Sequence, residues 1–314
     1  MTNYKQEIQS PLPGFVQLAG ILFRLFGIYF LGLGLVALIF KFVIGVDLQE
    51  IGTLITQDIP DQEKQHYLLL IQSIAPLIQF ILLPVVYIFF YQKMLIDDVF
   101  TFKTAKAATF FILTLMLYFT FMPVLEFLIK WNQSWHLPSA LAEVERNMLE
   151  MENQAKELTE LLIKYDSNWG FLKVLMVVAV LPAIGEELFF RGLLQNELKH
   201  LFKNVHVAIW VSAFAFSFVH FQFFGFIPRM VLGLMFGYAY VWSGNILIPI
   251  GMHFLNNGAT LVLMNVFREK YEQMESGPVE DVSMLNVALF AALSGVIIYY
   301  INQLYQQRKK AHVE

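Results

Sequence analysis

Two adjacent carboxylates and an arginine interrupt an apolar stretch at Leu181-Pro-Ala-Ile-Gly-Glu-Glu-Leu-Phe-Phe-Arg-Gly192. A charged side chain near the centre of a bilayer costs about 2.5 to 3.5 kcal/mol even on lenient insertion scales, so such a cluster points to function. Glu187 and Arg191 are four residues apart, one helical turn, with the acid first, which is the better order for an ion pair on a helix. Glu186 points about 100° around the same helix and needs a different partner, such as a histidine or a water. Later apolar stretches supply candidates: His220 in one, and His253 with Asn257 one turn further on in another. A carboxylate, two imidazoles and a carboxamide in a low-dielectric site can hydrolyse an amide with water and no covalent nucleophile. Glu186 would take a proton from a water shared with His220, and His253 and Asn257 would hold the tetrahedral oxyanion by hydrogen bonds. Zinc is the rival, because Glu186, His220 and His253 are also a ligand set that activates a metal-bound water. The chain lacks a His-Glu-x-x-His motif, and spacing alone leaves both chemistries open. His66, His136, His200, His206 and His312 fall in loops, near helix ends or in the tail, and are assigned no chemical role.

Membrane-embedded helices must position these groups. Of 314 residues 57% are hydrophobic, 31 are Phe and only 15% are charged, a composition that predicts a polytopic membrane protein. A net charge of −4 gives no basis for binding nucleic acid, and the absence of Cys removes disulfides, thiolate metal sites and Cys nucleophiles together. About 20 apolar residues cross ~30 Å of hydrocarbon. The runs read as spans are 15–44, 67–91, 107–129, 171–198, 205–224, 226–242, 246–267 and 284–305. The first follows a polar stretch without a small-residue cleavage site and is read as a retained span. Pro76 and Pro84 in the second span and Pro182 in the fourth predict distortions rather than breaks, and Gly244-Asn245 marks a turn. An even number of spans puts both termini on one side. Lys5, Lys93, Lys103, Lys106, Lys199, Lys203, Arg308, Lys309 and Lys310 gather there, which makes both termini cytoplasmic in a cytoplasmic (inner) membrane.

The segment 131–170 differs in kind. Leu141, Val144, Met148, Met151, Ala155, Leu158, Leu162 and Tyr165 follow a 3-4-3-4 spacing, a narrow heptad seam on an extramembrane helix. Glu143, Glu145, Glu150, Glu152, Glu157, Glu160 and Asp166 make its other faces acidic and poorly suited to anionic lipid. The seam either packs on the protein's own membrane region, pairs with a second copy through 139–165, or acts as an arm that gates substrate. The fold class expected is therefore all-α: a polytopic protein of about eight transmembrane helices with an extramembrane heptad-patterned helix. Its regions are 1–130 (three spans), 131–170 (the acidic arm), 171–267 (the chemical core) and 268–314 (the last span and basic tail).

Three motifs carry a resemblance. Glu186-Glu187-x-x-x-Arg191, Phe216-x-x-x-His220 and His253-x-x-x-Asn257, in that order along the apolar helices, resemble those of the CPBP family, the CAAX protease and bacteriocin-processing (Abi) group. That family includes the type II CAAX prenyl endopeptidase and lysostaphin-resistance-A-like proteins, and the resemblance covers about 171–267. It implies an intramembrane endopeptidase acting on a peptide or protein substrate at the membrane lipid, either a prenylated CAAX-type sequence or a leader peptide. By the same resemblance Glu186 with His220 activates water, Glu187 with Arg191 holds the site together, and His253 with Asn257 binds the oxyanion. A glutamate mechanism without cofactor is favoured over zinc. Phe216 is expected to pack beside His220. Two non-proteolytic classes use the same features differently. A transporter or proton relay places Glu and His at mid-membrane, and a non-catalytic scaffold or bacteriocin self-immunity protein binds a partner through the acidic arm.

Overall fold

The computed structural model describes residues 14–56, 60–94, 107–276 and 282–311. Lys5, Lys103 and Lys106, which enter the charge asymmetry, and His312 lie outside these ranges. Every regular element among the described residues is helical, as hydrocarbon requires of a backbone that must satisfy its own N–H and C=O groups. In chain order the helices are α1 (Gly14–Ile44), α2 (Leu48–Thr56), α3 (Asp61–Tyr91), α4 (Ala107–Gln133), α5 (Ala142–Leu162), α6 (168–202), α7 (Val205–Phe218), α8 (Phe226–Ser243), α9 (Leu247–Val266), α10 (Arg268–Ser276) and α11 (Met284–Ala311). Five of them, α1, α3, α4, α9 and α11, are long and apolar enough to cross a membrane. The protein is thus an integral membrane protein by length and composition of its helices. The other three expected spans are helical too, but α6 carries Lys173, Glu186, Glu187 and Arg191, α7 stops after 14 residues, and α8 has Arg229 in its first turn.

Proline shapes α3 and α6. Wide turns with i→i+5 bonding occupy Leu77–Leu82, Tyr87–Tyr91 and Met176–Val180, close to Pro76, Pro84 and Pro182. Each proline withdraws one N–H from the ladder, and a wide turn absorbs the mismatch without ending the helix. Another wide segment of α6, Leu188–Leu194, follows Glu187 directly and contains Arg191.

The chain forms two compact units, each from two segments: Met1–Val99 with Glu157–Ala208, and Phe100–Lys156 with Ile209–Glu314. In the first, Val36 and Phe40 of α1 pack with Ile78 of α3. Helix α6 meets α3 at Gly185, where an added Cβ would stand 2.9 Å from the Phe80 Cβ and 3.3 Å from the Ile81 Cγ1. Phe80 also meets Phe189 edge-on, with ring centroids 5.3 Å apart. The residue before Glu186 is therefore the point at which α3 fixes the position of α6. Near the C-terminal end of α6, Arg24 of α1 donates its Nε to the Tyr87 hydroxyl (2.8 Å) and its Nη2 to Glu197 (3.0 Å). Glu197 is buried and also accepts from the Tyr87 hydroxyl (3.1 Å) and the Gln92 amide (3.0 Å). Three donors replace the water that this carboxylate loses on burial.

The arm is shorter than its heptad pattern. Helix α5 ends at Leu162, after a tight turn at Ser139–Leu141, and Tyr165 lies beyond it with its ring edge-on to Phe171 at 5.2 Å. Leu141, Val144, Met151 and Leu158 of the seam are exposed. Gln65 caps the arm's last turn by donating to the Leu161 and Leu162 carbonyls at 3.1 and 3.2 Å, which otherwise have no partner within the helix.

In the second unit Tyr118 of α4, Phe236 and Ala239 of α8, and Ile248 and Met252 of α9 form one buried cluster. Phe110 and Leu117 of α4 pack on Ile301 of α11. Gly244, left-handed at φ 63°, ends α8, and the Asn245 Oδ1 accepts from the Leu247 N–H at 3.0 Å to begin α9. The turn expected at Gly244-Asn245 is there, and it directs α9 and its His253 back along α8.

Candidate active site

The i, i+4 spacing on α6 produces the ion pair it predicts. Arg191 Nη1 donates to Glu187 Oε1 at 2.7 Å, and both residues are fully buried. The Glu187 carboxylate is thus committed to the guanidinium. Glu186, one residue earlier on the neighbouring face, is half-buried and is the carboxylate of the pair suited to meet water. Both belong to the first unit; His220, His253 and Asn257 belong to the second.

His220 does not sit inside a helix. The apolar run 205–224 reads as one span, but α7 ends at Phe218 and the chain turns through 219–225 before α8. Phe221 takes the left-handed conformation at φ 52°, a cost of roughly 1 to 2 kcal/mol for a residue with a Cβ, and this reverses the chain just after His220. Polar bonds pin the turn. Asn132, at the end of α4 and fully buried, donates to the Phe223 carbonyl (3.2 Å) and accepts from the Ile227 N–H (2.8 Å). Ser217 donates its hydroxyl to the Phe226 carbonyl at 2.6 Å, and Arg229 donates to Gln222 Oε1 at 2.7 Å. Within this frame the His220 Nδ1 lies 2.8 Å from the Phe216 carbonyl oxygen. A carbonyl only accepts, so Nδ1 carries the proton and Nε2 keeps its lone pair. That is the tautomer a proton acceptor or a metal ligand needs.

His253 is buried on α9, stacked on Phe236 at 5.1 Å and edge-on to Phe216 at 5.8 Å. Phe216 also meets the His220 ring at 5.4 Å, so one phenyl ring packs against both imidazoles, the packing role expected of it. Asn257 is half-buried one turn beyond His253. Its neighbour Asn256 donates from Nδ2 to Asn257 Oδ1 at 3.2 Å and accepts at its own Oδ1 from the Tyr118 hydroxyl at 3.2 Å.

Asn132, Tyr118 and Asn256 carry no expectation from sequence. The Asn256-Asn257 doublet in an apolar helix was a visible signal. Asn132 sits in the Trp131-Asn-Gln flank of a span, where an amide reads as interfacial. Replacing it by alanine deprives the Ile227 N–H and the Phe223 carbonyl of their partner. Asn132→Ala is expected to cost ~1–3 kcal/mol and to depress activity with it. Thermal unfolding in detergent measures the first, and an unchanged midpoint would remove Asn132 from the frame of the turn.

These carboxylate, imidazole and carboxamide groups belong to an all-helical integral membrane protein, the class that its long apolar helices define. Residues 168–259 match the family model of type II CAAX prenyl endopeptidase Rce1-like proteins. The matched segment contains Glu186, Glu187, Arg191, His220, His253 and Asn257, so the resemblance drawn from the three motifs is borne out. The Bacillus subtilis protein YpbD, described as uncharacterized, is 28% identical over 85 residues, which is 26% of this chain and 40% of that protein. The match thus takes in less than half the length of this curated relative. No solved structure matches.

Proposed function

We propose that this protein is an intramembrane endopeptidase that cleaves a membrane-associated peptide, of CAAX type or a leader sequence, with water activated by Glu186 and His220. The observation that carries this reading is the presence of all three motifs, in order, inside one family match. The His220 tautomer supports it. In this reaction Glu186 accepts a proton from water as the oxygen attacks the scissile carbonyl carbon, and His220 Nε2 accepts a hydrogen bond that orients the water. His253 and Asn257 donate to the oxyanion. As the C–N bond breaks, the proton on Glu186 passes to the leaving amine. Glu187 and Arg191 keep α6 in shape through that cycle. The decisive experiment compares the peptide termini in membranes of cells carrying the intact protein with those carrying Glu186→Gln. A terminus found only with the intact protein supports the reading, and identical profiles would overturn it.

This chemistry needs no cofactor. Activity is expected to survive exhaustive chelation with no metal detected by elemental analysis. Loss on chelation and recovery with zinc would instead assign Glu186, His220 and His253 as ligands of a metal-bound water. We also read α6, α7 and α8 as spans beside the five long helices, giving eight crossings with both termini in the cytoplasm. The chain has no Cys, so single cysteines introduced at Lys203 and Lys270 can be labelled cleanly. Lys203 is expected to react from the cytoplasmic side and Lys270 from the other, and labelling of both from one side would refute the topology.

A further inference from the structure

An asparagine can serve an oxyanion only if it faces it the right way round. Its carboxamide presents two N–H donors on one side and a carbonyl oxygen on the other. Rotation by half a turn would set an acceptor against a developing negative charge, a repulsion in place of the stabilisation that a preorganised donor gives. Asn257 carries no internal preference between the two orientations, so its surroundings must choose.

We propose that Asn256 and Tyr118 are positioning residues that fix the carboxamide of Asn257 with its N–H donors turned toward the substrate oxygen. This inference rests on the proteolytic reading above. The relay has two links. The Tyr118 hydroxyl donates to Asn256 Oδ1 at 3.2 Å, which leaves the Asn256 amide nitrogen to donate, and it does so to Asn257 Oδ1 at 3.2 Å. With its oxygen engaged as an acceptor, the donor side of the Asn257 carboxamide is Nδ2. The start of the relay is rigid. Tyr118 is buried in the cluster that contains Phe236 and Met252, and Phe236 is the ring on which His253 stacks. One packed cluster therefore bears on the orientation of both His253 and Asn257. The Asn256 carbonyl also accepts from the Thr260 hydroxyl at 2.9 Å, so the backbone at this turn is tied down as well.

The test uses the full-length protein in nanodiscs and a quenched fluorogenic peptide selected from a random library for cleavage by the wild type. Tyr118→Phe and Asn256→Ala are expected to lower kcat about 10-fold with KM unchanged, since the relay acts on the transition state and not on substrate binding. Asn256→Asp separates orientation from mere packing. A protonated carboxyl accepts from Tyr118 through its carbonyl and donates to Asn257 Oδ1 through its hydroxyl, as the amide does, whereas the ionised form donates nothing. Its activity relative to the wild type at the same pH is therefore expected to be near normal in acid and to fall as pH rises through the titration of the introduced carboxyl. Taking the ratio cancels every pH effect that both proteins share. A ratio that does not vary with pH, or a normal kcat in Asn256→Ala, overturns the proposal. If the wild type cleaves nothing in the library, the proteolytic reading fails on its own account. The relay is then judged by the side-chain amide resonances of Asn257 in selectively 15N-labelled protein. A shift in Tyr118→Phe supports it, and an unchanged spectrum overturns it.

Discussion

Glu186→Gln is expected to reduce peptide cleavage by ~10²–10⁴-fold, the range over which a positioned general base contributes, while leaving the fold intact. Glutamine keeps the size and the hydrogen-bonding carbonyl of the native side chain but cannot take up the proton that water must lose. Glu186 is half-buried and lies beside the closed Glu187 and Arg191 pair, so the substitution removes a charge without breaking that pair. The measurement is the single-turnover rate on the peptide whose new terminus depends on the protein, together with the thermal unfolding midpoint of both proteins in the same detergent. A loss of rate at an unchanged midpoint supports the assignment. Full activity in Glu186→Gln would end it, and no adjustment of the mechanism around His220 would rescue it.

The second large effect is on stability. Arg191→Ala is expected to cost ~3–5 kcal/mol, because it strands the Glu187 carboxylate at a position with no exposure at all. The double substitution Glu187→Leu with Arg191→Met removes both charges and keeps the volume, and it is expected to recover most of that loss. The contrast between the two variants identifies the cost as an uncompensated buried charge, not a cavity. Unfolding midpoints of the wild type, single and double variants decide the matter. A single variant as stable as the wild type would show that the pair braces nothing.

The residues with chemical potential were legible in sequence because charge is conspicuous in an apolar chain. The pairing of Glu187 with Arg191 needed only the helical period, and the Gly244-Asn245 turn only the left-handed tolerance of glycine. The turn that presents His220 was hidden for the opposite reason. Phe218, Val219, Phe221, Phe223 and Phe224 are apolar on every side, so no periodicity marks where α7 stops, and only Gly225 and Pro228 hint at a break. The roles of Asn132 and Tyr118 depend on partners 91 and 138 residues away, which no local pattern encodes. The heptad seam was legible, but its last position was not. Tyr165 keeps the spacing while the helix has already ended, since three-four spacing records side-chain chemistry and not where the backbone hydrogen bonds cease.

The contact of Arg24, Tyr87 and Gln92 with Glu197 bears on how this molecule can be taken apart. A fragment cut to residues 168–259 would keep every motif side chain, yet it would present Glu197 to lipid stripped of all three groups that neutralise or solvate it. Such a block is not transplantable. The family-matched segment thus depends on side chains of helices that lie outside it, and grafting or truncation designs must carry the two together.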